Sequence, residues 1–103
     1  DDELIDILYE PSQRKNSAEA FRGFINLFDD YLATDLFKVV NCDIHLIWGE
    51  KDPWESLEEA KKWKDNFSNI KSLDILEGIG HCPHDESPTE TNKILLKLIQ
   101  DTK

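Results

Sequence analysis

The sequence is poor in basic residues and in long apolar runs. It holds 12 Lys and Arg against 22 Asp and Glu, which gives a net charge of −10. Binding to nucleic acid or to an anionic membrane needs Lys and Arg held on one face, whereas here they are scattered, so neither partner is expected. No apolar stretch approaches the roughly 20 residues that a membrane-spanning helix requires. No membrane span is therefore predicted, and the chain is expected to be soluble.

Cysteine is almost absent. Cys42 and Cys82 are too few for a disulfide framework. They lie before one predicted strand and after another, which disfavours a bridge between them if those strands are parallel. We therefore expect free thiols, typical of an intracellular or organellar compartment. The compartment itself stays open, because a chain cut from a longer one would have lost any leader before Asp1.

Two apolar runs dominate what is present. Residues 43–48 and 72–76 combine apolar side chains with little polar alternation, which indicates strands covered on both faces. Between them, apolar residues recur at helical spacing after Ser56, which forms a capping-box pattern with Glu59. A strand, a helix and a second strand of this length predict a right-handed crossover between two parallel strands, and hence an α/β fold with flanking helices.

The N-terminal third is predicted to be helical. Residues 2–8 form a short helical pattern, and residues 11–16 are expected to form a loop. A second helix begins after Asn16 or Ser17 and places an apolar stripe on one face, which serves either as core packing or as part of a lid or substrate wall. The stripe consists of Ala18, Phe21, Ile25, Phe28 and Leu32.

The last predicted helix has the clearest start, with Ser87 as N-cap and Pro88 at its first position. Two strands and their helices are nevertheless too little sheet to stand alone, because buried parallel strands need neighbours and covering layers. The chain is therefore predicted to be part of a longer protein. In isolation it is expected to self-associate through its unpaired strand edge.

A carboxylate and an imidazole follow the two predicted strands. Asp52 comes after the first strand and Gly49, and His81 comes after the second strand, where Gly78 and Gly80 permit a tight turn. Because the carboxyl ends of parallel strands meet at one edge of a sheet, we expect both side chains there. A carboxylate bound to one imidazole nitrogen fixes the tautomer and stabilises the imidazolium, which makes the two residues candidates for a catalytic acid and base.

Other interpretations exist for these residue types. Asp52 also fits a helix N-cap with Glu55 three residues on, although Ser56 is a competing cap. His45 interrupts the apolar pattern of the first strand and is expected to be a sheet or surface histidine.

The residues around His81 raise the question of a metal. Histidine, cysteine and aspartate side chains are all zinc ligands, and four residues of these types lie close together in the sequence. Adjacent residues point apart, however, and no second ligand pair follows, so neither a metal nor another cofactor is predicted. The four residues are His81, Cys82, His84 and Asp85.

The two segments resemble the last strands and C-terminal helix of the α/β-hydrolase superfamily. Residues 48–54, Trp-Gly-Glu-Lys-Asp-Pro-Trp, are similar to the acid-bearing segment of that family, and residues 80–88, Gly-His-Cys-Pro-His-Asp-Glu-Ser-Pro, to its histidine loop. The resemblance covers residues 38–100 and is nearest to the pheophytinase-like branch. It implies that residues 1–34 are the end of a helical cap and residues 35–103 the C-terminal part of the hydrolase core.

The resemblance implies a Ser-His-Asp type triad that acts on ester or similar acyl bonds of a small-molecule substrate, with Asp52 as acid and His81 as base. No Gly-x-Ser-x-Gly elbow occurs in the sequence. The nucleophile is therefore expected in residues outside this chain, and the chain alone is predicted to be inactive. Trp54 and Phe28 are expected to contact substrate. The alternative is a non-catalytic interaction module derived from a hydrolase.

Overall fold

Two parallel strands organise the C-terminal part of the chain. In this computed structural model, which describes residues 2–26 and 31–101, β1 (Ile44–Gly49) pairs with β2 (Ile70–Leu76), and a register irregularity separates Ile44 from His45. The helix α4 (Leu57–Asn66) connects the two strands. The predicted parallel pairing and the α/β class are therefore confirmed.

The chain divides into two compact units, Asp1–Leu32 and Ala33–Lys103. The first unit contains α1 (Asp2–Tyr9), a 3-10 helix (Glu10–Gln13) and α2 (Ser17–Ile25). None of the described residues of its two α-helices is buried. A role for this part of the chain as the end of a helical cap stays a prediction.

The first unit differs from the prediction in two places. The loop expected over residues 11–16 begins as a 3-10 helix, because Pro11 has a φ angle that suits a first helical turn. The second helix ends at Ile25, so Leu32, expected on its apolar face, lies outside it. Phe28, from the same predicted stripe, lies outside the described residues.

An aromatic cluster joins three elements of the second unit. Phe37 ends the short helix α3 (Ala33–Phe37) and makes edge-on ring contacts with Trp63 and Phe67, at centroid distances of 5.4 and 5.3 Å. Trp48 of β1 meets Trp63 of α4 at 5.6 Å with perpendicular rings. Such edge-to-face pairs stabilise beyond the apolar area that they bury. The cluster therefore fixes α4 against β1.

The buried apolar core of the second unit is small. Among the described residues, the buried hydrophobic side chains are Ala60 and Ile70. Ile75 on β2 is 45% exposed, and several leucine and isoleucine side chains of the last helix are exposed as well. Parallel strands are ordinarily covered on both faces. This exposure is what self-association would require, and self-association itself stays a prediction.

The helix after β1 and the last helix of the chain begin where the sequence indicates. The Oγ of Ser56 accepts a hydrogen bond from the Glu59 amide at 3.3 Å, so Ser56 caps α4 as predicted. The last helix, α6 (Pro88–Asp101), starts at the predicted proline. A four-residue helix that was not predicted, α5 (Pro83–Glu86), lies directly before it. Within the described ranges, no helix combines the length and apolar character needed to cross a membrane.

Candidate active site

Asp52 and His81 meet beyond the carboxyl ends of the two strands. The Nδ1 of His81 lies 2.8 Å from the Oδ2 of Asp52. The carboxylate side chain is 6% exposed, whereas the imidazole is 50% exposed. The structure thus brings together the two residues that the sequence singles out, and it leaves half of the imidazole accessible while the carboxylate is covered. Their catalytic roles stay a prediction.

The second oxygen of Asp52 binds its own loop. Oδ1 accepts hydrogen bonds from the amides of Trp54 at 2.9 Å and of Glu55 at 3.0 Å. This is the capping pattern considered for Asp52, but it closes the turn before the helix rather than the helix itself, which Ser56 caps. The carboxylate therefore holds its loop with one oxygen and the imidazole with the other.

These hydrogen bonds favour the ionised form of Asp52. Burial on its own raises the pKa of the carboxyl, but the hydrogen bonds from the Glu55 amide, from His81 and from the Trp54 amide outweigh it and hold the pKa of Asp52 below its ordinary value of 3.8. Asp52 is therefore ionised at neutral pH and has no proton to donate. The Nδ1 of His81 is then the donor, which leaves Nε2 of the neutral ring as an acceptor.

Gly49 allows the two loops to approach each other. A Cβ atom at this position would overlap the carbonyl oxygens of Gly80 and Ile79. The Ile79 carbonyl also accepts a hydrogen bond from the Lys51 amide at 2.8 Å, which ties the second loop to the end of β1. Gly78 has a φ of 73°, a conformation that favours glycine, in agreement with the predicted tight turn. The requirement for glycine at position 49 was not predicted.

Two glutamates hold the backbone of the His81 loop. Glu50 accepts a hydrogen bond from the Gly78 amide at 2.9 Å. Glu86 accepts one from the Gly80 amide at 2.8 Å and another from the Cys82 amide at 3.1 Å. Sequence reasoning gave neither residue a role. Both lie within the two segments that resemble the hydrolase family, but their amide contacts depend on the path of the loop, which the sequence pattern does not show.

A cleft of about 190 Å³ opens beside the pair. Trp48 contributes to its wall, and the indole Nε1 donates to the Glu55 carbonyl at 3.0 Å, which fixes the ring. The cleft has both apolar walls and the two polar side chains of the site, as small-molecule sites commonly do. It is lined by Ile47, Trp48, Gly49, Asp52, Glu55, His81 and Pro83.

Of the two predicted substrate contacts, the structure describes Trp54 but not Phe28. Trp54 lies two residues after Asp52, and its side chain is 79% exposed. Phe28 lies outside the described residues. Substrate contact by either residue stays a prediction.

His45 has a hydrogen-bond partner other than Asp52, and the two cysteines form no disulfide. His45 contacts the Oγ of Ser72 through Nδ1 at 2.8 Å, which confirms it as a hydrogen-bonded sheet histidine. It borders a different cavity of about 340 Å³. Within residues 2–26 and 31–101, no group of three or more His, Cys, Asp or Glu side chains could hold a metal ion. Cys42 and Cys82 are free thiols.

Part of the chain is similar to a known hydrolase. Pheophytinase, chloroplastic, from Arabidopsis thaliana, a member of the α/β-hydrolase superfamily, is 38% identical over 55 residues, which make up 53% of this chain and 11% of that protein. The chain therefore spans a small part of the relative that it matches. No family model and no solved structure matches the chain. The similarity agrees with the resemblance noted in the sequence and indicates a hydrolase-derived segment.

Proposed function

We propose that this chain supplies the acid and the base of a Ser-His-Asp type triad in a hydrolase of ester or similar acyl bonds. The observation that carries the proposal is the 2.8 Å contact between Nδ1 of His81 and Oδ2 of Asp52 beyond the carboxyl ends of two parallel strands. The similarity to a pheophytinase segment supports it. In this proposal residues 1–34 are the end of a helical cap, and residues 35–103 are the C-terminal part of the core.

His81 and Asp52 have different tasks in the proposed reaction. The Nε2 of His81 removes the proton from a serine hydroxyl as the oxygen attacks the substrate carbonyl, and it later returns a proton to the departing alcohol. Asp52 stays ionised and stabilises the imidazolium that forms between the two steps. Water then hydrolyses the acyl-enzyme through the same histidine. The serine comes from residues outside this chain.

The half-exposed imidazole and the adjoining cleft favour a reaction on a small molecule. Nε2 must reach a group on another part of the protein, and the exposure of the His81 side chain leaves room for it. The exposed indole of Trp54 offers a flat apolar surface two residues from Asp52. We propose that Trp54 and Phe28 contact the apolar part of the ester. The name of the similar protein makes pheophytin a compound to test.

The decisive experiment replaces His81 in the full-length product of the gene. Turnover of short p-nitrophenyl esters and of pheophytin is measured for the unmodified protein, for His81→Ala and for His45→Ala. We expect His81→Ala to lower turnover by several orders of magnitude, as loss of a triad member does. His45→Ala is the matched control and keeps full turnover. Equal turnover in the unmodified protein and in His81→Ala would overturn the proposal.

One observation favours a second function, that of a non-catalytic interaction module. Asp52 binds the amides of Trp54 and Glu55, so its contact with His81 also serves to join two loops. In a module derived from a hydrolase, this structural task would be sufficient. Glycine or alanine at the nucleophile position of the full-length protein, together with no turnover of any ester, would favour the module.

A further inference from the structure

A carboxylate outside the His81 loop binds the backbone on both sides of the histidine. Glu86 is the last residue of α5, and its Oε2 accepts from the Gly80 amide at 2.8 Å while its Oε1 accepts from the Cys82 amide at 3.1 Å. Gly80 and Cys82 are the immediate neighbours of His81 in the chain. The amide of Glu86 in turn donates to the Cys82 carbonyl at 2.8 Å, which anchors the glutamate to the loop that it holds.

We propose that Glu86 is a positioning residue for His81, acting through this two-amide clamp on the loop backbone. The inference rests on the proposed function, because it concerns how the candidate base is held. The His81 side chain is 50% exposed, so packing alone does not fix it. Its ring reaches Asp52 only if the backbone of the loop stays in place. A displacement of about 1 Å in a catalytic geometry can lower the rate about 100-fold. Holding the His81 backbone in place therefore affects the rate of the proposed reaction.

The charge of Glu86 suits this role. The amide of Gly80, and then that of Cys82, hold the pKa of the Glu86 carboxyl below its ordinary value of 4.5. At neutral pH both oxygens therefore accept hydrogen bonds. A glutamine at this position has one accepting oxygen and an NH₂ group that opposes an amide donor. Glu86→Gln consequently keeps the shape of the side chain and removes half of the clamp.

Gly80 provides a way to disrupt the clamp without changing the charge. A Cβ atom on Gly80 would lie 2.8 Å from Oε1 and 3.1 Å from Oε2 of Glu86. The atoms in its way belong to the end of a flexible side chain, so the carboxylate moves aside in Gly80→Ala. Asp85→Asn is the matched control, because it makes the same change of charge one residue earlier on α5.

The experiment measures the tautomer of His81 in the full-length protein. The chemical shifts of the two ring nitrogens are recorded by ¹⁵N NMR at about pH 8, above the ordinary imidazole pKa of about 6.5. In the unmodified chain we expect the proton on Nδ1, facing Asp52. Glu86→Gln and Gly80→Ala should each lose this preference, so that the His81 tautomer ratio approaches that of the exposed His84. Asp85→Asn should keep the unmodified ratio, and Asp52→Asn should lose it.

The outcomes separate positioning from a general contribution to stability. If Glu86 only stabilises the fold, both variants unfold at lower urea concentration while the folded chain keeps the original tautomer, and the proposal is overturned. A change in Glu86→Gln without one in Gly80→Ala would also overturn it, since the effect would then come from charge alone. The measurement needs no turnover. A lost tautomer preference combined with full activity of His81→Ala would uphold the clamp and overturn only the proposed function.

Discussion

His81 and His45 belong to the same unit, and each places Nδ1 2.8 Å from an oxygen atom. The partner of His81 is the covered carboxylate of Asp52, whereas the partner of His45 is the hydroxyl of Ser72 on the neighbouring strand. An ionised carboxylate stabilises an imidazolium, and a neutral hydroxyl does so far less. The charge of the partner, and not the distance to it, therefore distinguishes a candidate base from a histidine of the sheet.

The two histidines also differ in what holds them in place. His45 lies within β1, and the strand pairing sets it opposite Ser72. His81 lies beyond the end of β2, where no ladder continues, and the carboxylates of Glu50 and Glu86 bind the amides around it. Leaving the sheet gives the His81 ring access to a cleft, but its loop then depends on side chains for its shape.

The largest expected effect comes from Asp52→Asn in the full-length protein. Asparagine keeps one oxygen for the amides of Trp54 and Glu55, but its NH₂ group cannot accept the proton of Nδ1. We expect turnover of esters to fall by about 10⁴-fold, the size of the effect of this change in a serine protease triad. Ser72→Ala removes the partner of His45 and should leave turnover unchanged. Comparable losses in both variants would remove the distinction between the two histidines.

A smaller effect is expected for Gly49→Ala, which acts on the approach of the two loops. The added methyl group would overlap the backbone carbonyl oxygens of Ile79 and Gly80. We expect the free energy of unfolding to fall by about 1–3 kcal/mol, the usual cost of overpacking. Urea unfolding of the full-length protein followed by tryptophan fluorescence measures this, because the three tryptophans of this chain all lie in the second unit.

Gly23→Ala is the control for Gly49→Ala. A Cβ atom on Gly23 of α2 meets nothing within 4 Å, and this helix belongs to the first unit. Alanine favours a helix interior over glycine by about 0.5–1 kcal/mol. The transition detected by tryptophan should therefore stay where it is. A Gly49→Ala chain as stable as the Gly23→Ala chain would show that the loops do not need their close approach.

The sequence predicts the helices and strands that show a complete apolar period or a clear N-terminal cap. Both strands and α4 fall where the apolar runs and Ser56 place them, and α6 begins at Pro88. The short helices α3 and α5 have five and four residues, so neither displays a complete apolar period. The start of β2 lies two residues earlier than the predicted residue 72, because the charged Lys71 separates Ile70 from the apolar run.

The residues of the site likewise divide into those that the sequence predicts and those that it does not. The placement of Asp52 and His81 at one edge of the sheet follows from strand order, because parallel topology places successive strand ends at the same edge. The contacts of Glu50 and Glu86 depend on the path of an irregular loop, which no periodicity records. With 22 acidic residues in the chain, composition cannot indicate which two of them bind the loop amides. The need for Gly49 likewise arises from an approach between distant parts of the sequence.

The smallest expected effect is the acid dependence of stability. The pKa values of Asp52 and Glu86 lie below their ordinary values of 3.8 and 4.5 in the folded chain. Their contribution to stability is therefore complete above those ordinary values and is lost as the pH falls through the lower folded-state values. The pKa of the exposed Glu58 is also lowered, by its pairing with Lys61, and this effect is the same in every variant.

This dependence is measured as the free energy of unfolding between about pH 6 and pH 3 in the unmodified chain, Asp52→Asn and Ser72→Ala. We expect the unmodified chain and Ser72→Ala to lose stability in parallel toward acid. Asp52→Asn should show a shallower loss, because one carboxyl with a lowered pKa is missing. If the free energy of unfolding falls as steeply with pH in Asp52→Asn as in Ser72→Ala, the ionised form of Asp52 is not stabilised by its partners on folding. The contact of Asp52 with His81 would then stabilise the fold electrostatically no more than the contact between His45 and the hydroxyl of Ser72 does.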